Sequence, residues 1–394
     1  MLSRGVHNYA IDLPDMEGWR ALHVAADSEA ENVLVWLLEN GASVDSETVG
    51  FIRPGRTALH FAASKSSDTA FRIVQELLKK GANPGLPTRF GGNTPLHYAV
   101  QGGSVEIVTK LLLHRSKHKP ADPNTPNYSG VTALHKAAAV PGLEAIVEVL
   151  LQNGANAVQA TTLDRVAIVR GVRDAYGSTA GSMLKANLNP MNTLKTATDT
   201  LRGVGSQTAL HMAVRGKGRE ETAKKLLEWY TTKELMVESK DSRGYTPLHS
   251  AVDGVGFSTY TRLLVESKRV DINAQDNKGR TPLIVYMRRL GQPQLQSDPD
   301  DQKALSETLD VLLDAGAAPG TRDKDGKSAL DYAQQAGLTW AVEKIKSVLP
   351  VETPGSPGSP SGDLPIASPQ TESAPSTPST PGIMGKGFGR FLKR

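Results

Sequence analysis

An all-α solenoid of helix-turn-helix units with projecting hairpin loops, followed by a disordered C-terminal tail, is the fold the sequence predicts. Three observations predict it. A segment of the form GNTPLHYAV (residues 92–100) returns eight times. An apolar stretch at helical spacing follows most copies and runs through Leu-Leu to Gly-Ala, as in LEAIVEVLLQNGA (143–155). From Pro350 onward the composition turns abruptly to Pro, Ser, Thr and Gly.

The copies are GWRALHVAA (18–26), GRTALHFAA (55–63), GNTPLHYAV (92–100), GVTALHKAA (130–138), SQTALHMAV (206–214), GYTPLHSAV (244–252), GRTPLIVYM (279–287) and GKSALDYAQ (326–334). Their leucines are spaced by 37, 37, 38, 76, 38, 35 and 47 residues. Such a period marks a stack in which each unit buries its apolar side only against its neighbours. Within a copy the residues read as a helix start. Thr94 stands where an N-cap hydroxyl accepts a bond from a free backbone N–H, worth about 1 kcal/mol. Pro95 follows at the first helical position, where a missing N–H costs nothing. Leu96 then faces the core, and His97 is placed to bond both the Thr hydroxyl and a neighbouring backbone group. Thr246 and His249 repeat the arrangement.

The second stretch of each unit is ENVLVWLLENGA (31–42), TAFRIVQELLKKGA (69–82), VEIVTKLLLHR (105–115) or LSETLDVLLDAGA (305–317), among others. Their apolar residues recur at helical spacing. Gly41, Gly81, Gly154 and Gly316 sit where a helix needs a left-handed stop. Turn-rich segments such as SKDSRG (239–244) and AQDNKG (274–279) supply the loops. Four units therefore occupy residues 1–155 and four occupy 206–349. Between them lies 156–205, whose spacing of 76 is twice 38 and fits either a degenerate repeat or a loop insertion. LDRVAIVRGVRDAYG (163–177) has helical apolar spacing but no motif. QPQLQSDPDDQ (292–302) reads as a polar loop insertion.

Residues 350–382 have little to bury and are expected to be a disordered linker. Thr353, Ser356, Ser359, Ser368, Thr377 and Thr380 each precede Pro there, the pattern of proline-directed phosphorylation, which adds about −1.5 to −2 charge per site. The final segment, IMGKGFGRFLKR (383–394), carries four cations and no acid. Met384, Phe388, Phe391 and Leu392 share one helical face, while three glycines disfavour a helix in isolation. A basic amphipathic end of this kind suits weak contact with anionic lipid or a partner groove.

These motifs resemble the ankyrin repeat. Its Gly-x-Thr-Pro-Leu-His-x-Ala pattern is met in full by 92–99 and 244–251 and closely by four other copies. The resemblance covers roughly residues 12–349. Arg20 replaces Thr in the first unit, and Ile284 and Asp331 replace His in the last two, as capping units often diverge. The family period is about 33 residues, so the longer spacing here predicts lengthened fingers. The resemblance implies that the motif histidine is a structural hydrogen-bonder. Six of the nine histidines, His23, His60, His97, His135, His211 and His249, fill that slot, whereas an active site needs one convergent set. It also implies a partner-binding concave face built from finger tips and first helices. Carried over by position, the contact candidates are Trp19, Arg56, Phe90, Asn93, Tyr128, Val131, Arg243, Tyr245, Lys278 and Arg280. Trp, Tyr and Arg dominate binding hot spots.

Other chemistry finds little support. Cys is absent, which excludes disulfides and thiolate metal sites. The net charge of +4 is small for 394 residues and does not point to nucleic acid. GKS at 326–328 lacks the preceding Gly of a phosphate-binding loop. His114 and His118 have helical metal-ligand spacing but fall at a basic helix end, where a cationic cap is the simpler reading. No cofactor or metal is expected. With no signal-like or membrane-spanning run, the chain is expected in the cytoplasm or nucleus, as a monomer. The expected function is non-catalytic protein binding, as scaffold, adaptor or inhibitor. A recruitment subunit with a membrane- or partner-contacting tail is the alternative, and a catalytic reading rests on 156–205 alone.

Overall fold

In the computed structural model the described residues are 11–49, 54–115, 118–161, 205–254, 257–292 and 299–349. They form sixteen helices in eight pairs. The first four pairs are α1 (Ala21–Asp27) with α2 (Glu31–Glu39), α3 (Ala58–Ala63) with α4 (Asp68–Lys79), α5 (Pro95–Gly102) with α6 (Val105–Leu113), and α7 (Ala133–Ala138) with α8 (Glu144–Gln152). The next four are α9 (Ala209–Ala213) with α10 (Glu220–Thr232), α11 (Pro247–Asp253) with α12 (Phe257–Glu266), α13 (Pro282–Leu290) with α14 (Pro299–Asp314), and α15 (Ala329–Gln335) with α16 (Thr339–Val348). The chain separates into Met1–Pro350, which holds all sixteen helices, and Val351–Arg394. The candidate phosphorylation sites and the basic end at 383–394 lie outside the described residues.

Every first helix starts on local chemistry. At α5, Thr94 is extended (φ −83°, ψ 166°), Pro95 takes the first position, and Thr94 and His97 exchange side-chain and backbone bonds. The second helices stop as their glycines require. Gly81 has φ 90°, and the N–H groups of Gly81 and Ala82 bond the carbonyls of Leu78 and Leu77 at 3.0 and 2.9 Å. Where α10 lacks a glycine, Glu234 adopts φ 54° instead, and Leu235 N–H bonds the Tyr230 carbonyl at 2.9 Å.

Odd-numbered helices pack on one another in order from α1 to α15, and even-numbered helices from α2 to α16. Motif leucines from Leu22 to Leu283 are buried in one continuous core, and only the last, Leu330, is partly open. The later units fill their cores with Tyr230, Tyr260 and Tyr286, all fully buried. Each hydroxyl reaches a carbonyl, as Tyr286 does at Leu305 (2.6 Å), so the buried phenol is satisfied.

Three expectations meet these facts. The segment 292–302 is not loop throughout, because α14 begins at Pro299. A proline in the first turn is compatible with a helix start, which the acidic, polar composition concealed. Lengthening is also not confined to the fingers. Part of it lies in the 13-residue α10 and in the connection from Leu113 to Ala121. The degenerate repeat or insertion expected at 156–205 falls mostly on 162–204, outside the described residues. Across that segment, α9 packs directly on α7 and α10 on α8, as neighbouring units do elsewhere in the stack.

Candidate partner-binding face

The finger of each unit is closed by the same pair of hydrogen bonds. An opening residue donates its N–H to a carbonyl further on and, through its side-chain oxygen, accepts that partner's N–H. The pairs are Asp15–Trp19, Thr48–Arg56, Thr88–Asn93, Asn127–Val131, Thr161–Gln207, Asp241–Tyr245, Asp276–Arg280 and Asp323–Lys327. The N–H to carbonyl distances are 2.7–3.0 Å. Five pairs are four residues apart, and the others are 8, 5 and 46 apart. The clasp needs a left-handed residue just before its second member. Seven fingers use glycine there, and the fifth uses Ser206 at φ 63°. Neighbouring fingertips are joined in turn, as where Tyr128 N–H bonds Gly91 O (3.0 Å) and Lys324 N–H bonds Lys278 O (2.9 Å).

The motif histidines tie this face to the stack. Nδ1 of His60, His97, His135, His211 and His249 accepts the N–H of its N-cap Thr at 3.0–3.2 Å. The Thr hydroxyl lies 2.8–2.9 Å from the same nitrogen. Nε2 then donates into the next unit's finger, from His97 to Val131 O (2.9 Å), His135 to Gln207 O (3.0 Å) and His249 to Arg280 O (3.0 Å). This fixes the neutral tautomer with the proton on Nε2. Burial lowers the pKa to about 3 for His60 and about 4 for His97, His135, His211 and His249; it also lowers that of His23. The link to the following unit goes beyond the loop-to-helix tie read from the motif. In the last unit, Asp331 bonds Ser328 and its own finger's Arg322 instead.

The contact candidates divide by exposure. Phe90 and Lys278 are exposed. Trp19, Arg56, Asn93, Tyr128, Val131 and Arg243 are half-buried between fingers. Trp19 packs on Phe61 with centroids 4.6 Å apart, Arg243 lies 4.0 Å above the Tyr245 ring, and Asn93 accepts from Asn127 Nδ2 (3.1 Å). Tyr245 and Arg280 are buried and depart from their expected placement at the surface. Arg280 pairs with Asp276 (2.6 Å) and reaches the Tyr245 hydroxyl (3.3 Å), so these two side chains lock one finger to the next.

The residue just after the motif histidine also varies between units, as in Phe61 and Tyr98, which are buried, and Lys136 and Met212, which are half-buried. Arg56 lies 4.6 Å and Lys136 5.9 Å from the Tyr98 ring. Among the described residues no carboxylate pairs with Lys136, and burial, then Arg56, lowers its pKa. His114 caps α6, which ends at Leu113, so His114 and His118 do not share a helix. Among the described residues no cluster of side chains suits a metal ion, and no helix is long and apolar enough to cross a membrane.

Comparison with known proteins matches the family model "Ankyrin repeats (3 copies)" at residues 2–86, 59–161, 177–276 and 210–294; the third match begins within 162–204. The chain is 34% identical over 144 residues to the B-cell lymphoma 3 protein homolog of Mus musculus, covering 36% of this chain and 30% of that protein. It is 36% identical over 98 residues to alpha-latrotoxin-Lh1a of Latrodectus hasselti, covering 25% and 7%. It is 26% identical over 253 residues to Rabankyrin-5 of Homo sapiens, covering 62% and 19%. The chain thus spans under a third of the length of each of these relatives.

Proposed function

Since the chain belongs to the ankyrin-repeat family, whose repeats are protein-interaction modules, we propose that it is a non-catalytic docking protein that binds a protein partner on its finger-and-first-helix face. One observation carries this reading. The clasps, the bonds between tips and the histidine bonds hold the fingers in register, while Phe90 and Lys278 remain exposed on them. A surface set rigidly in advance loses little conformational freedom on binding. The relatives' names do not share one activity, so what the chain scaffolds, adapts or inhibits is a property of its own surface residues.

Affinity capture with the full chain tests the proposal. Changing Phe90, Trp19, Tyr128 and Lys278 together to Ala is expected to abolish recovery of the partner without loss of helical signal. Unchanged recovery would sink the finger-face reading.

A further inference from the structure

The first unit leaves apolar side chains uncovered in slots that the next units bury. On α1, Val24 is 49% exposed, whereas its counterparts Phe61 and Tyr98 are buried. Each of those rings packs on the unit before it, Phe61 against Trp19 and His23 and Tyr98 against His60, with centroids 4.6–5.9 Å apart. On α2, Val33 and Trp36 are 52% and 58% exposed, one turn apart on the same side of the helix. The counterparts of Val33 in the next three units, Ile73, Ile107 and Ile146, are fully buried. Even-numbered helices pack on one another in order, and α1 and α2 have no described unit before them. The unit is also strongly acidic, with nine carboxylates and one arginine in residues 11–49. Cations of the second unit reach three of these, Asp27 from Lys65 (3.1 Å), Glu31 from Arg72 (2.8 Å) and Glu47 from Arg89 (2.7 Å). Arg20 donates to the backbone carbonyls of Asp12 and Glu47, so the unit keeps a net negative field. Glu39, exposed one turn beyond Trp36, carries that charge to the edge of the apolar stripe.

We propose that the outer side of unit one, formed by Val24, Val33 and Trp36 with Glu39 at its edge, docks a basic amphipathic helix of a partner protein. The occupant is a helix because these slots face a neighbouring unit's helices elsewhere in the stack. Its apolar side chains cover the exposed stripe, and its cations meet the surplus of carboxylates. An acidic helix meets like charge there instead. The surface lies at the end of the stack and does not rest on the finger-face reading.

The test is fluorescence anisotropy on the full chain, with a labelled amphipathic peptide helix built of Leu and Lys as probe and its Leu and Glu counterpart as control. Wild type is expected to bind the Lys peptide in preference, more weakly as salt rises. Val33→Ser combined with Trp36→Gln is expected to weaken binding about tenfold or more. The melting temperature should hold, because both side chains are exposed. Glu39→Lys should also weaken binding, and Phe90→Ala, on the fingers, should leave it unchanged. Equal affinity in wild type and the double variant overturns the inference, as does equal affinity for the Glu peptide. Loss of binding in Phe90→Ala would assign the probe to the finger face and overturn it too. Binding that appears only after deletion of residues 1–10 assigns the surface to that segment. A mass that rises with concentration in wild type but not in the double variant assigns it to a second copy. Either result overturns the inference and leaves the finger-face reading standing.

Discussion

The six motif histidines are buried among hydrogen bonds that suit only the neutral ring, and this sets how the molecule responds to acid. Their folded-state pKa values lie below the ordinary 6.5, at about 4 for His97, His135, His211 and His249 and about 3 for His60. The unfolded chain therefore takes up protons first as pH falls. Their contribution is complete above pH 6.5 and is lost progressively from there down toward pH 4. Each such histidine then loses on the order of 1 kcal/mol per pH unit, so the five together remove several kcal/mol, a large share of a typical domain's stability. The melting temperature should be level from pH 8 to 7 and fall steeply between 6.5 and 5; a level profile down to pH 4.5 would contradict this. Ser206 offers a separate test. It holds a left-handed backbone position that glycine fills in the other seven fingers. Ser206→Gly should stabilise by about 0.5–1 kcal/mol, the relieved strain exceeding the added chain entropy. Urea unfolding at unchanged slope measures it, and a lower midpoint would refute it.

At the level of elements, the fifth finger differs from the others in the length of chain between its clasp residues, besides holding Ser206 in place of glycine. Thr161 and Gln207 exchange the same bonds as Asp15 and Trp19, although 46 residues separate them rather than four. α9 packs directly on α7, as neighbouring units do elsewhere in the stack. Deleting residues 163–204 restores a separation of four and should leave one cooperative transition within about 5 °C of the parent. Loss of cooperative folding would favour an integral repeat. First-helix starts were legible because their chemistry is local, as in Thr94, Pro95 and His97. The stops at Gly41, Gly81, Gly154 and Gly316 were legible for the same reason. The clasp partners were not, since their separation varies from 4 to 46 residues. Nor was the burial of Tyr245 and Arg280, which depends on a neighbouring finger, or the setting of Lys136, which three units create together.

Across the whole array, units are equivalent only where they have neighbours on both sides. Ile73 on α4 is fully buried against the preceding pair, but its counterpart Val33 on α2 is 52% exposed because no described unit precedes it. Ile73→Ala should cost about 2–5 kcal/mol and Val33→Ala less than about 1. Comparable losses at both sites would mean that Val33 is covered by something beyond the described residues. The central claim is that the fingers and first helices form the docking face. Hydrogen exchange of the full chain with and without its captured partner tests this most directly. Added protection should appear in the fingers around Phe90, Tyr128 and Lys278 and in α3, α5 and α7, with α4, α6 and α8 unchanged. Protection confined to α4, α6 and α8 would contradict it.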